Sequence, residues 1–355
     1  MTRLFYVFGD TTFLHFAPLS ILAHLRQTLY INCYFYKKLL MKTIGKILKV
    51  LLVILLALMG IICLLFGYKD KSVKSLQDKY APAPSTFVTI EGMNVHYRDE
   101  GNPFDTLPLV LLHGTGSSLH TYDAWAEAVK STRRTIRMDL PAFGLTGPFP
   151  NRDYSIDHYV SFIEQFLENR HIPHCILVGN SLGGQIAWQF TLAHPNRVEQ
   201  LVLIDAAGYP LNSKSAPIAF TLARMPIINK LLTFITPRFM AKASVENVYA
   251  DKSKVTEALV DRYFDLTLRK GNRQALVDRM TGIYDTSRLP QIRNIQQRTL
   301  LLWGEEDMLI PLSNATRFHE DLPNDTLIII PHSGHVPMEE SPKESLAALL
   351  GFLKG

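Results

Sequence analysis

The stretch HCILVGNSLGG, residues 174–184, decides the fold of this chain. Its first half is a short apolar run typical of a buried strand, and a helical pattern follows its last glycine. A serine framed by glycines in a sharp turn from strand to helix is a nucleophile elbow, in which a strained backbone lifts the hydroxyl above the sheet edge. At positions 179 and 183 a side chain would collide with the neighbouring strand and helix. The sequence therefore predicts that Ser181 is a nucleophile, and the alternative is a plain glycine-rich turn.

Short apolar runs recur on both sides of this elbow, separated by helical patterns. Runs that are apolar on both faces are typical of strands in a buried parallel sheet. Their alternation with helices predicts an α/β fold, with a mainly parallel eight-stranded sheet and helices on both faces. Residues 87–101 predict two strands joined by a turn at Gly92. The other strands are expected within residues 107–114, 133–140, 174–180, 200–208, 298–304 and 326–335, and the clearest helices at 155–167, 181–194, 313–321 and 341–353.

The region 209–298 interrupts this alternation. It contains helical patterns and no strong strand run, and it is too long for a connecting loop. We therefore expect an inserted helical lid over the carboxyl edge of the sheet, between two core segments at 87–208 and 299–355. The Phe, Leu and Met residues of the lid are compatible with an apolar acyl pocket, and equally with the internal packing of the lid.

Candidate catalytic residues follow the strands, where ligands of such sheets bind. A serine nucleophile needs a base, and His335, after the last strand, is the candidate in preference to His332. The base needs an orienting carboxylate, for which Asp307 is the candidate and Asp205 the alternative. The order Ser181, Asp307, His335 is the chain order expected for such a triad. Three other carboxylates near strand ends are expected in structural or solvated positions: Asp139, Glu305 and Glu306.

An acyl-transfer site also needs backbone donors for the oxyanion. One candidate is the N–H of Leu182, at the positive end of the helix that follows the elbow. The second is the N–H of Thr115, or alternatively of Gly116, in the loop after the strand at 107–114. Here Gly114 and Gly116 let the backbone approach the substrate, while His113 is expected to brace the loop by hydrogen bonding. Since the chain has neither a P-loop nor a good dinucleotide fingerprint, we expect no organic cofactor, and no metal.

The N-terminal part of the chain has a different character. Residues 50–66 are 17 residues without a charge. With residues 44–49 they reach the roughly 20 that a membrane-spanning helix needs. Lysines are concentrated before this run, which places the N-terminus in the cytoplasm and the rest of the chain across the membrane. The sequence predicts a signal anchor at 41–69, a polar linker at 70–86 and a single-pass protein of a bacterial inner membrane with an extracytoplasmic body. A cleaved signal peptide is the alternative.

Residues 1–40 lack a clear period, and Met41 begins a run typical of a bacterial start, so we interpret 1–40 as an extension from an upstream start codon. The net charge of +5 is unevenly distributed. Residues 1–69 contain eight basic residues and one acidic residue, which leaves 29 basic and 31 acidic residues in the remainder. A nearly neutral body is not that of a nucleic-acid-binding protein. The expected partners are a small-molecule or lipid ester and the membrane.

These motifs together resemble those of the α/β-hydrolase superfamily, in the branch that has a helical lid. The resemblance covers residues from about 86 to 355, and it implies a serine hydrolase whose triad is Ser181, Asp307 and His335. The matching motifs are HGTG at 113–116, DLPAFG at 139–144, GNSLGG at 179–184, WGEED at 303–307 and SGHVPMEESP at 333–342.

The resemblance also narrows the expected reaction. Epoxide hydrolases and haloalkane dehalogenases have aspartate at the elbow, where this chain has Ser181. The elbow is similar to that of carbon–carbon bond hydrolases acting on ring-cleavage products. Those enzymes typically have an aromatic residue where Val336 stands, and no arginine here can be matched to the one in their lid. A membrane helix before the domain looks like monoacylglycerol lipases and bacterial esterases. Carboxylic ester hydrolysis is therefore expected, with carbon–carbon hydrolysis or a catalytically silent binding protein as alternatives.

Overall fold

The computed structural model describes residues 19–210, 213–282 and 285–354, in two units that meet between Leu65 and Phe66. Helix α1 (Leu19–Phe66) makes up the described part of the first unit. Its stretch Ala23–Phe66 is long and apolar enough to cross a membrane, with a mean hydropathy of 3.0 over its most apolar window. The helix runs through position 40 without a break, so the boundary expected there is not structural. Residues 1–18 of the expected extension lie outside the described residues.

The second unit, Phe66–Gly355, is built on an eight-stranded sheet and is called the body below. The strands follow the spatial order β1-β2-β4-β3-β5-β6-β7-β8, and β2 pairs antiparallel with both β1 and β4. All other pairs are parallel, which confirms the predicted sheet. The strands are β1 (Thr86–Ile90), β2 (Met93–Gly101), β3 (Leu109–Leu112), β4 (Arg134–Met138), β5 (Cys175–Asn180), β6 (Val198–Ile204), β7 (Arg298–Gly304) and β8 (Asp325–Ile330).

Two apolar cores lie on the two faces of this sheet. Alternate residues of β5 show why, because Leu177 belongs to one core while Ile176 and Val178 belong to the other. Such strands are apolar on both faces, as the sequence predicts. The remaining helices are α2 (Val73–Tyr80), α3 (Asp123–Val129), α4 (Ile156–Asn169), α5 (Leu182–Ala193), α6 (Ile218–Arg224), α7 (Ile228–Leu232), α8 (Arg238–Val248), α9 (Glu257–Thr267), α10 (Asn272–Thr281), α11 (Leu312–Asp321), α12 (Pro337–Glu340) and α13 (Pro342–Lys354).

The segment 70–86, expected as a linker, is folded against the body. Helix α2 begins after Ser72, whose hydroxyl accepts a hydrogen bond from the Ser75 N–H at 3.1 Å. It buries Leu76 and Tyr80, which lie one turn apart on the same face. The Tyr80 hydroxyl also donates to Asp265 Oδ2 at 2.7 Å. The linker prediction is wrong because two apolar residues at helical spacing are enough to dock a short helix whose overall composition is polar.

The insert between β6 and β7 is helical, as expected. Its described residues form the helices α6 to α10, which make up the lid. The last part of the predicted lid belongs instead to the core. Ile292 and Ile295 are buried in the same apolar core as residues of α4 and α5. The lid therefore ends before the boundary at 298 that the sequence suggests, because a short 3₁₀ helix, Leu289–Asn294, returns the chain to the sheet.

Candidate active site

The elbow between β5 and α5 holds Ser181 in a strained backbone conformation. Its φ of 56° and ψ of −115° are rare for a residue with a side chain. Its N–H donates to the Ile204 carbonyl at 3.0 Å, and its carbonyl accepts from the N–H groups of Gln185 and Ala207, also at 3.0 Å. Because three backbone hydrogen bonds hold this one residue, the position of its hydroxyl is set by the sheet rather than by a loop.

The two glycines around Ser181 are required by close packing. A Cβ atom at Gly179 would lie 2.2 Å from the Gly183 carbonyl oxygen. A Cβ atom at Gly183 would lie 2.2 Å from the carbonyl oxygen of Leu112, at the end of β3. Both distances are far inside van der Waals contact with backbone atoms, which cannot easily move. The steric reason that the sequence suggested for these glycines is therefore confirmed.

The loops after β7 and β8 bring Asp307 and His335 together. Asp307 Oδ2 lies 2.7 Å from His335 Nδ1, and both side chains are buried. Asp307 Oδ1 accepts from the N–H groups of Leu309 and Ile310, at 2.8 and 3.0 Å. The His335 N–H donates to the Val248 carbonyl of α8, at 2.8 Å. With Nδ1 engaged by the carboxylate, Nε2 is the ring nitrogen left to accept a proton.

Ser181 and His335 line the same cavity, which extends under the lid. The cavity measures about 1020 Å3, counting the space at its mouth. Within the described residues no hydrogen bond links Ser181 Oγ to the ring of His335. Such contacts are often long in free enzymes and tighten when substrate binds.

Asp205, the alternative acid, lies behind this pair. It follows β6, which is the neighbour of β7, and its Oδ1 accepts from the Gly304 N–H at 2.9 Å. One atom each of Asp205, Asp307 and His335 fall within 4.8 Å of one another. Burial, and then the neighbouring charge of Asp307, raise the pKa of Asp205 well above its usual value. Two adjacent buried carboxylates cannot easily both ionise, and this pairing favours the protonated form of Asp205.

The same three side chains are the buried set, among the described residues, that could jointly ligate a metal. Both oxygens of Asp307 and Nδ1 of His335 are already engaged in the hydrogen bonds given above. A second cluster, on the surface, consists of Glu305, Glu306 and His332. All three are exposed, so they lie in the solvated positions expected for them.

The loop at 113–116 packs directly on the elbow. A Cβ atom at Gly114 would lie 3.0 Å from Ser181 Cβ, so the loop backbone passes next to the serine. Thr115 and Gly116 line the cavity beside it. Within the described part of the chain, the N–H groups of Thr115 and Leu182 donate to no protein acceptor. Both donors are therefore available to a ligand at the mouth of the elbow.

His113 links this loop to the one after β4. Its Nδ1 lies 2.7 Å from the Gly114 carbonyl, and its Nε2 accepts from the Leu140 N–H at 2.9 Å. Complete burial lowers the pKa of His113, so the ring is neutral, as an accepting Nε2 requires. Asp139 has a comparable place: its Oδ1 accepts from the Leu119 N–H, and its Oδ2 from that of Leu145. These are the bracing positions that the sequence suggests for both residues.

The cavity wall is predominantly apolar, and its charged residue was missed by sequence reasoning. Among the described lining residues, Arg273 of α10 is the only lysine or arginine. Its guanidinium donates to Asp70 Oδ1 at 2.6 Å and to the carbonyls of Tyr68 and Phe234. Asp70 precedes α2 and is distant in sequence, so no local signal connects the two residues. The positive charge in the wall is thereby paired within the protein.

Glu340 is a second residue that sequence reasoning missed. It is buried, and its Oε2 accepts from the N–H of Gly334, next to His335, at 2.7 Å. The N–H groups of Ala250 and Asp251, after α8, donate to the same carboxylate. One side chain therefore ties the histidine loop to the lid. The signal was the acidic pair that follows the histidine motif, which is an unusual position for a buried charge.

Comparison with known proteins agrees with this geometry. The family model for the α/β-hydrolase fold matches residues 108–342. An uncharacterized hydrolase of Bacillus subtilis is 28% identical, over 77% of this chain and 99% of its own length. The 2-hydroxy-6-oxo-6-(2'-aminophenyl)hexa-2,4-dienoic acid hydrolase of Metapseudomonas resinovorans is 27% identical, over 75% and 90%. The crystal structure of a membrane phospholipase A, described as a bacterial virulence factor, matches with a TM-score of 0.63 and 25% identity, over 86% and 96%. The chain belongs to the α/β-hydrolase fold family.

Proposed function

We propose that this protein is a membrane-anchored serine hydrolase that cleaves carboxylic esters. The observation that carries the proposal is the apolar cavity in which Ser181 and His335 meet, with its one arginine already paired to Asp70. Such a cavity suits an uncharged substrate with an apolar acyl group. The similarity to a membrane phospholipase A supports both the ester bond and the membrane.

In the proposed mechanism, Ser181 Oγ attacks the ester carbonyl while His335 Nε2 takes its proton. Asp307 holds the ring in the tautomer that this step needs and stabilises its charged form. The N–H groups of Leu182 and Thr115 bind the oxyanion of the tetrahedral intermediate. His335 then gives the proton to the leaving alcohol, and an acyl-enzyme remains. A water molecule, activated by the same histidine, releases the acid and frees Ser181.

The proposal is tested by labelling the detergent-solubilised full chain with a fluorophosphonate probe, beside turnover of p-nitrophenyl esters of increasing chain length. We expect labelling that disappears in Ser181→Ala, and a fall in kcat of about 10⁴-fold or more. Turnover should rise with acyl length until the cavity is filled. A Ser181→Ala protein that keeps its activity would contradict the mechanism. Labelling without ester turnover would support Ser181 as the nucleophile and contradict ester hydrolysis as the reaction.

Carbon–carbon hydrolysis is the second candidate, and the similarity to the dienoic acid hydrolase of Metapseudomonas resinovorans is the observation that favours it. A dienoic acid, as named for the relative in Metapseudomonas resinovorans, carries a carboxylate that a cavity arginine could bind. Here Asp70 occupies that arginine. The substitution Asp70→Asn would remove the carboxylate that pairs with the guanidinium of Arg273. If the protein is a carbon–carbon hydrolase, wild type should already turn over a dienone acid faster than any ester, and Arg273→Lys should raise KM for that acid.

The N-terminal helix supports the membrane part of the proposal. Ala23–Phe66 has the length and composition of a span, and the lysines before its most apolar part support an orientation with the body outside the cytoplasm. Protease added to spheroplasts that express the full chain should then digest the body without lysis. Protection of the body until the cells are lysed would reverse the orientation. Recovery of the body in a soluble fraction would contradict the anchor.

A further inference from the structure

The front of the lid exposes a cluster of large apolar side chains. Six of them, between 42% and 76% exposed, lie on or beside helices α6, α7 and α8 and are called the lid outer face: Ile218, Met225, Ile227, Leu231, Phe234 and Phe239. Leu231 lies within α7, Ile227 immediately precedes this helix and Phe234 follows it. Exposed apolar clusters of this kind mark surfaces that meet another molecule or a membrane.

The first residues of the body, Phe66 and Tyr68, contact the lid at the lid outer face. The Phe66 carbonyl accepts from the Thr236 N–H, and the Tyr68 N–H donates to the Phe234 carbonyl, both at 3.2 Å. The ring of Phe66 packs edge-on against Phe239, with centroids 5.9 Å apart. Phe66 is also the last residue of helix α1. The residue at which helix α1 ends therefore packs directly against a member of the lid outer face.

The charge of residues 213–245, which include the whole lid outer face, suits a bilayer surface. Residues 213–245 contain five basic residues and no acidic one. Arg238 and Lys242 pair with acidic residues of α9. The exposed side chains of Lys214, Arg224 and Lys230 form no ion pair within the described residues. Apolar side chains surrounded by free basic groups are typical of surfaces that lie in the interface of an anionic membrane.

The helices that carry the lid outer face also form the wall of the cavity. Phe220, Leu232 and Met240 line the cavity, and each is next to an exposed member of the face or within two residues of one. A single layer of short helices therefore separates the cavity from the outside. α6 has seven residues and α7 has five, so this layer has few backbone hydrogen bonds to hold it closed.

We propose that the lid outer face lies in the lipid–water interface, and that the cavity takes its substrate, an amphiphilic ester with a long acyl chain, from the bilayer through the front of the lid. The substrate part of this inference rests on the proposed ester hydrolysis, whereas the docking part does not. The bilayer is favoured over a second copy of the chain because Phe66, the last residue of the apolar helix α1, packs against Phe239 of the face. The unpaired basic groups of residues 213–245 favour it as well.

The docking is tested with the full chain in vesicles of equal amounts of phosphatidylcholine and phosphatidylglycerol. In a background in which the exposed Cys33 and Cys63 are replaced by serine, an environment-sensitive fluorophore is attached at Ile227→Cys or at Phe234→Cys. Phe104→Cys is the matched control, because Phe104 is 88% exposed in the loop between β2 and β3. Acyl-chain quencher lipids should remove about half or more of the emission at 227 and 234, and little at 104.

Equal, weak quenching at all three positions would overturn the proposal. Crosslinks between copies through position 234, without quenching by lipid, would assign the face to a second copy and overturn it as well. Quenching together with an inactive esterase would leave the docking surface in place and reject the proposed reaction. The kinetic counterpart is Ile227→Glu. Hydrolysis of a long-chain ester in vesicles should fall about tenfold, while that of a soluble acetate ester stays within about twofold of wild type.

Discussion

The sheet edge and the front of the lid hold their residues in opposite ways. At the sheet edge, Ser181 is fixed by three backbone hydrogen bonds and Asp307 by two, all of them buried. At the front of the lid, short helices present apolar side chains to the outside, and Ile227 adopts a φ of +72° that a β-branched residue seldom has. Chemistry needs atoms at fixed positions, whereas a surface that meets fluid lipid needs only the right composition.

Helix α9 and the chain after α8, called the rear of the lid, resemble the sheet edge because specific polar contacts hold their residues in place. Arg262 of α9 forms an ion pair with Glu339 of α12, and the Tyr263 hydroxyl lies 2.9 Å from the same carboxylate. Glu340 ties the chain after α8 to the histidine loop. The rear of the lid is therefore tied to the site, whereas the front of the lid presents apolar side chains to the outside.

The largest expected effect is that of Asp307→Asn. An amide next to His335 would force the ring proton onto Nε2, which then could not accept the proton of Ser181, so kcat should fall about 10⁴-fold. Asp205→Asn is the matched control, because Asp205 lies beside Asp307 and makes no hydrogen bond to the ring. It should change kcat only slightly. If Asp205→Asn proved the more harmful, the two carboxylates would exchange roles.

Gly183→Ala should weaken the sheet edge itself. The added Cβ would lie 2.2 Å from the Leu112 carbonyl oxygen, so backbone must shift, and the free energy of unfolding should fall by about 3 kcal/mol. Gly351→Ala is the control, since a Cβ there meets nothing within 4 Å, and alanine favours helix α13 by up to about 1 kcal/mol. Denaturation in micelles measures both. Equal stabilities for the two variants would show that the elbow is less rigid than its packing indicates.

The pH dependence of stability should change in Asp205→Asn. The pKa of Asp205 is raised in the folded protein, so folding favours the protonated carboxyl. This contribution is fully present below the unfolded pKa of about 3.9 and is lost as the pH rises through the native pKa. As the pH rises above about 4, the Tm of wild type should therefore fall more than that of the asparagine variant. Parallel Tm curves for the two proteins would mean that Asp205 ionises normally.

The smallest expected effect lies at the front of the lid. Ile227→Gly removes the side-chain penalty of a positive φ, and by this alone it should raise the free energy of unfolding by about 1 kcal/mol or less. Turnover of a soluble ester should stay unchanged, because Ile227 does not line the cavity. Comparing urea denaturation and acetate-ester kinetics with wild type checks both. A loss of stability above about 1 kcal/mol would show that this half of the lid is as tightly packed as the rear.

Local sequence predicted much of the fold because each strand and turn carries its own signal. The elbow is an example: a strand, a serine between glycines and a helix are adjacent in the chain, so their packing could be foreseen. The segment 70–86, wrongly predicted to be a linker, shows where prediction from local sequence fails. Leu76 and Tyr80 of α2 bury against residues of the lid and of the loop after β4, such as Leu266 and Leu145. No sequence pattern within 70–86 predicts a contact with those distant residues.

By itself, the sequence determined which residues follow which strands, and so the choice of Ser181, Asp307 and His335 as candidates, along with an apolar N-terminal segment. Only the tertiary structure decided which groups became neighbours. Strand order put Asp205 beside Asp307, helix packing put Arg273 on Asp70, and the docking of the chain at Phe66 put Phe239 next to it. The physical reason is the sequence separation over which each property is set. Backbone conformation and apolar periodicity depend on neighbouring residues, whereas strand pairing, the coupling of charges and exposure depend on residues far apart in the chain.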